Sequence, residues 1–190
     1  AIAIPQFASY RTRGFNSSAQ SDVRNLSTSQ AALFSDWQLF GGSNGAAVAT
    51  PLVFGAYAGG AATVLTGPNG TGAGNVPVLE ATAAAGNVGV QIPLGNNVML
   101  YSITNAAAAG ITANSTFVGV TKHTNGNTYF GVDGDTTAIF SPKLKAAKGP
   151  HWWPVTLLHP PLLTIFLALQ LHLLMLLLPT GLPASLPLVG

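Results

Sequence analysis

The chain of 190 residues contains no cysteine. That excludes a disulfide staple, a thiol nucleophile and a thiolate metal site, so any folded head holds by packing and strand pairing alone. Charge is nearly as scarce: Asp, Glu, Lys and Arg make up 6% of the residues, about a quarter of the usual share. Seven basic and five acidic side chains leave a net charge of +2. The pI of about 9.2 does not signify a phosphate track. The nearest thing to one is Lys143, Lys145 and Lys148, without interleaved aromatics, and no nucleic-acid site is evident. With hydrophobic residues at 48%, such a composition suits a surface packed against copies of itself or against lipid.

Catalytic patterns are missing as well. The acids are Asp22, Asp36, Glu80, Asp133 and Asp135, and none sits in a motif that would make a carboxylate pair. His123, His151, His159 and His172 lack the i, i+4 spacing of a helical zinc site. The glycine-rich stretches contain neither a P-loop nor a dinucleotide fingerprint, which leaves them as surface loops. Asp133-Gly134-Asp135 puts two oxygens on a turn, whereas calcium takes six to eight; a polar turn is the favoured reading. Asn16, Asn25, Asn69 and Asn114 open glycosylation sequons of a kind that arises often by chance. These absences argue against an enzyme and imply no cofactor and no metal.

What is present is a long helix. Phe15, Ala19, Val23, Leu26, Gln30, Leu33, Trp37 and Phe40 recur in steps of four and three, broken in character only by Gln30. That spacing keeps one stripe on one side of a helix. Pro5 sits where a helix start tolerates it, and Gly41-Gly42 offers a left-handed cap. From Gln6 to Phe40 the rod would measure roughly 50 Å, longer than a head built from the next hundred residues. Ahead of Gly14, Ile2, Ile4, Phe7 and Tyr10 are apolar on more than one face. Beyond it the pattern is amphipathic, with Asp22, Arg24, Asn25 and Asp36 expected in solvent. Arg11 and Arg13 at the junction could snorkel to lipid headgroups.

Ala1-Ile-Ala-Ile-Pro-Gln-Phe-Ala-Ser-Tyr-Arg, then Phe15-Asn-Ser-Ser-Ala-Gln-Ser-Asp-Val-Arg-Asn-Leu and Ala31-Ala-Leu-Phe-Ser-Asp-Trp-Gln, resemble the N-terminal helix of type IV pilins. The resemblance covers about forty residues, and for the remainder it is only compositional. It implies that the first part of the family's helix, with its processing site, methylated Phe and buried glutamate, is missing from this sequence. It also implies a subunit held in the inner membrane, handled by the pilus assembly machinery, and polymerised with its own kind into an extracellular filament. On that reading Ile2, Ile4, Phe7, Tyr10 and Phe15 carry filament-core helix contacts, and Leu26, Leu33 and Trp37 grip the head's sheet.

The fold class expected is α+β, a long N-terminal amphipathic helix packed on a small antiparallel sheet of about four strands. Residues 41–90 read as an irregular connection with turn signals at Gly59-Gly60 and Pro68-Asn-Gly70, and a short helix over Glu80 to Ala85. Strand signals cover Val88 to Ile92, Asn97 to Thr104, Thr116 to His123, Tyr129 to Val132 and Thr137 to Phe140. Asn125-Gly126 predicts a type I′ hairpin turn.

From Gly149 to Gly190 the composition breaks to Leu, Pro and His, with no Asp, Glu, Lys, Arg or Asn. Leu162 to Leu178 is long enough for a marginal membrane span, with Trp152-Trp153 at its edge. A C-terminal anchor, an apolar extension packed in an assembly and an out-of-frame translation all fit. The lysines at 143, 145 and 148 would lie on the wrong side for an anchor, which favours a tail foreign to the fold. The organisation expected is thus 1–40 helix, 41–148 head and 149–190 tail. The leading expectation is a pilus-like structural subunit. The alternatives are a pseudopilin of a type II secretion system and a binding domain tethered by its tail.

Overall fold

The computed structural model describes residues 3–47, 52–72, 74–136 and 138–141. Ile2, Thr137, the three C-terminal lysines and the 149–190 tail lie outside the described residues. Helix α1 spans Ala3–Trp37 without a break at Gly14. Its buried stripe is Ala19, Val23, Leu26, Gln30 and Leu33, with Asp22 beside it. Full burial of Val23, Leu26 and Leu33 contributes about 1.5–3 kcal/mol each.

The helix ends earlier than the spacing predicts, and by a different residue. Gln38 takes the left-handed conformation, with φ 57°, while Gly41 and Gly42 do not. Both glycines instead admit close neighbours. A Cβ on Gly41 would lie 2.8 Å from the side chains of Leu33 and Leu79, and one on Gly42 would run into the Tyr57 ring.

Among the described residues seven strands follow: β1 Gly42–Ala47, β2 Leu65–Thr66, β3 Asn75–Ala83, β4 Gly86–Gln91, β5 Val98–Thr104, β6 Phe117–His123 and β7 Phe130–Asp133. They form two antiparallel sheets, ordered β1-β3-β4 and β2-β5-β6-β7. The protein is therefore α+β, with one N-terminal helix on antiparallel sheets, but in place of a single sheet of about four strands there are two, of three and four. Ala19, Val23 and Leu26 meet Leu65, Leu79, Leu100, Phe117, Phe130 and Val132 in the main core. Leu33 packs with Ala81 and Val88 in a second cluster. Gly119 in β6 makes the close helix approach possible, since a Cβ there would stand 2.2 Å from Leu26 Cδ2.

Three local expectations are corrected. Glu80 to Ala85 is not a helix: Glu80 lies in β3, and a two-residue turn at Ala84-Ala85 returns through Gly86, whose φ is 126°. The Asn125-Gly126 turn closes with Gly126 N–H donating to His123 O at 2.9 Å, but neither residue takes positive φ, so it is not type I′. The end of the fifth strand signal forms only a single bridge, Gly131 to Phe140.

The segment 52–58 has no regular structure and is tied down by side chains of β3 and β4. Gly55 N–H donates to Glu80 Oε1 at 2.7 Å, and Tyr57 N–H donates to Thr82 Oγ1 at 2.9 Å. Glu80 is fully buried between Gly42 and Gly89 in register, where the rings of Tyr57 and Phe54 fill the space that side chains would occupy.

Candidate assembly surface

No buried side chain occurs in α1 ahead of Ala19 among the described residues. Phe7 is 67% exposed and Tyr10 65%, and nothing lies within 4 Å of where a Cβ on Gly14 would stand. Arg13 lies over the Tyr10 ring at 5.9 Å and Arg11 over the Phe15 ring at 5.8 Å. An apolar rod with a basic collar thus projects from the head. A large ring so exposed leaves its apolar area in water unless a partner covers it. Of the residues expected in filament contacts, Phe7 and Tyr10 occupy this free stem. The side chain of Ile4, like Ile2, lies outside the described residues.

Phe15 is placed differently. Its ring stacks on His123 at 4.3 Å between centroids, so it joins the stem to its own head. Asn16 reinforces this joint: its Nδ2 donates to Asn127 Oδ1 at 2.7 Å, and its Oδ1 accepts from Asn127 N–H at 3.0 Å. One turn on, Thr121 Oγ1 donates to Ala19 O at 2.7 Å. Leu26 and Leu33 are buried against the sheets, whereas Trp37 is 44% exposed. The reason is that the chain turns back after Gln38. Phe40 then stacks on Phe34 at 4.7 Å and meets Phe117 at 4.8 Å, closing the sheet where Trp37 was expected.

Two polar residues of α1 face the core. Gln30 is fully buried: its Nε2 donates to Gly41 O at 2.6 Å and Ser102 Oγ at 2.9 Å, and its Oε1 accepts from Gly41 N–H at 2.8 Å. Ser43 Oγ donates to Thr63 O at 2.6 Å and accepts from Ser102 N–H at 3.0 Å, so the same cluster bridges β1 and β5 between the two sheets. Nothing in the spacing marked Gln30 as more than a flaw in the stripe. A lone amide at a core position of a helix is the signal that could have found it.

Asp22, expected in solvent, is 5% exposed. The loop before β5 closes over it, and Gly95 N–H donates to its Oδ2 at 2.8 Å. Burial pushes its carboxyl above the usual value, opposed by the bonds from Gly95 and Asn25 and by the charge of His123. Burial, aided by the charge of Lys122, holds His123 below its usual value against the attraction of Asp22. The two groups therefore act oppositely on stability. The contribution of His123 is complete above its unfolded value of 6.5 and is lost as pH falls through its lower folded value. That of Asp22 is complete below 3.8 and is lost as pH rises through its higher folded value. We expect the urea midpoint to fall more from about pH 7 to about pH 5 than in His123→Phe, which keeps a ring against Phe15. Equal slopes would contradict the assignment.

Elsewhere the chemistry is that of turns. Asp133 Oδ1 accepts from Thr136 N–H at 2.8 Å and from Asp135 N–H at 3.2 Å, closing the polar turn from within. Asn114 is buried with φ 61°, and its Nδ2 donates to Tyr57 O, so that sequon asparagine serves the fold. Among the described residues no group of His, Cys, Asp and Glu could hold a metal ion, and no helix is long and apolar enough to cross a membrane. An open cleft of about 420 Å³ beside β2, lined by Thr63, Thr66, Asn69 and Thr71, offers hydroxyl and amide groups without a titratable partner. Compared with known protein families, curated proteins and solved structures, the chain matches none.

Proposed function

We propose that the chain is a structural subunit of a type IV pilus-like extracellular filament, polymerising through the forward part of α1. The observation that carries this reading is the bare stem. Phe7 and Tyr10 stand about two-thirds exposed on a helix whose other half is built into a head. The resemblance of residues 1–40 to the pilin helix supports it, as does a helix laid on antiparallel sheet.

The mechanism is assembly. Before it, the apolar stem sits in the inner membrane, with Arg11 and Arg13 at headgroup level. During it, the pilus machinery transfers stems from lipid into a bundle of like stems. That exchange keeps Phe7 and Tyr10 out of water throughout. A subunit that offers one surface and accepts on another makes heterologous contacts that do not close, and the product is a fibre. The pseudopilin alternative gains nothing from the Asp133 turn, because Asp133 Oδ1 is already engaged by two backbone N–H groups.

The test is mass spectrometry of material sheared from cells producing the chain. The filament reading expects this protein as the major component of the sheared fibres. Recovery only from the membrane fraction, with no fibres in the sheared material, would overturn it.

A further inference from the structure

Among the described residues, the exposed charges of α1 and its head are sorted lengthwise. Arg11, Arg13 and Arg24 are exposed on the first two-thirds of the helix, whereas Asp36 is exposed at its far end. The Asp133–Asp135 turn belongs to that far end too, because Gly134 sits against the rings of Phe117 and Phe40. Asp135 is exposed there. Asp22 and Glu80, the acids nearer the middle, are buried and hydrogen-bonded within the fold. Among the described residues no ion pair is formed by Arg11, Arg13 or Asp36. Among the described residues of a chain with so few charges, the outcome is a basic stem and an acidic far end, neither neutralised by the other.

We infer that the free face of the stem docks against the acidic end of α1 in a second copy, so that Arg11 and Arg13 of one subunit pair with Asp36 of the next. This rests on the filament reading and specifies its register. Two copies with parallel helices, displaced along the axis by roughly 35 Å at 1.5 Å per residue, bring these charges level. The neighbouring rings suit the same contact. Arg13 already lies over Tyr10, and Asp36 offers the incoming guanidinium an exposed carboxylate at the end where Trp37 is 44% exposed. Each copy then keeps a free stem at one end and a free acidic end at the other. Addition continues without closure. A partner of other chemistry would have to match both the apolar rings and the sign of the charge, while a second copy carries that match already.

The test is charge reversal with rescue in filaments made by the full chain. Arg11→Asp with Arg13→Asp is expected to cut the yield of sheared filaments at least tenfold, as is Asp36→Arg with Asp135→Arg. All four changes in one chain are expected to restore most of the yield. Arg11→Lys with Arg13→Lys keeps the charge and is expected to keep most of the yield, and raised salt should weaken wild-type assembly. Circular dichroism of each variant separates loss of assembly from loss of fold. Normal filaments from either reversed chain would overturn the register and leave the filament reading standing. So would folded single reversals whose combination fails to recover. Absence of filaments from the wild-type chain would overturn both.

Discussion

Gln30→Met is expected to destabilise the fold by about 3 kcal/mol, although methionine nearly matches glutamine in volume. The cost arises from what the amide holds. Gly41 N–H loses its acceptor and has no other at hand, and Ser102 Oγ loses a donor. Gly41 O retains only the weaker bond from Ser102 Oγ, at 3.2 Å. Each buried polar group left without a partner costs about 1–3 kcal/mol. The same groups set where the chain leaves α1 and enters β1, so the seam between the sheets should loosen with them. Urea denaturation of the two proteins measures the difference. A change below about 1 kcal/mol would mean that water replaces the amide and that the cluster is not structural.

Phe7→Asp is expected to have the opposite profile, leaving stability within about 0.5 kcal/mol of wild type and abolishing assembly. Phe7 is 67% exposed and belongs to neither core cluster, so the head has nothing to lose. In a stem bundle, by contrast, the substitution puts a carboxylate where an apolar ring is to be covered, a cost that Arg11 one turn on offsets only in part and that is repeated at every subunit. Urea denaturation and electron microscopy of cells producing the variant give the two readouts. Normal filaments from this variant would count heavily against a stem-mediated fibre.

The helix was legible in the sequence because burial on one side leaves a repeat of three and four. The strands β5, β6 and β7 were legible because Val, Ile, Thr and aromatic residues suit a pleated, half-buried surface. Strand β1 was not legible. Gly42-Ser-Asn-Gly-Ala-Ala has no strand-forming residue, and it is extended because β3 pairs with it from Gly42↔Glu80 to Ala47↔Asn75. The stretch Glu80 to Ala85 misled for the converse reason, since Glu and Ala favour helix locally while partners on both sides of β3 impose a strand. Within the surface proposed for assembly, the exposure of Phe7 and Tyr10 follows from their place ahead of the amphipathic stripe. The fate of Phe15 does not, because His123 lies far away in sequence and only the sheet brings its ring to the helix. Nor does that of Asp22, whose burial depends on a loop amide at Gly95.

The most direct measurement is a helical reconstruction, by electron cryomicroscopy, of fibres sheared from cells producing the chain. The account predicts a core of parallel α1 stems with Phe7 and Tyr10 covered by neighbouring copies, the two sheets outside, and Arg11 and Arg13 level with Asp36 of an adjacent subunit. A fibre held together through the sheets, with the stems still exposed to solvent, would contradict it.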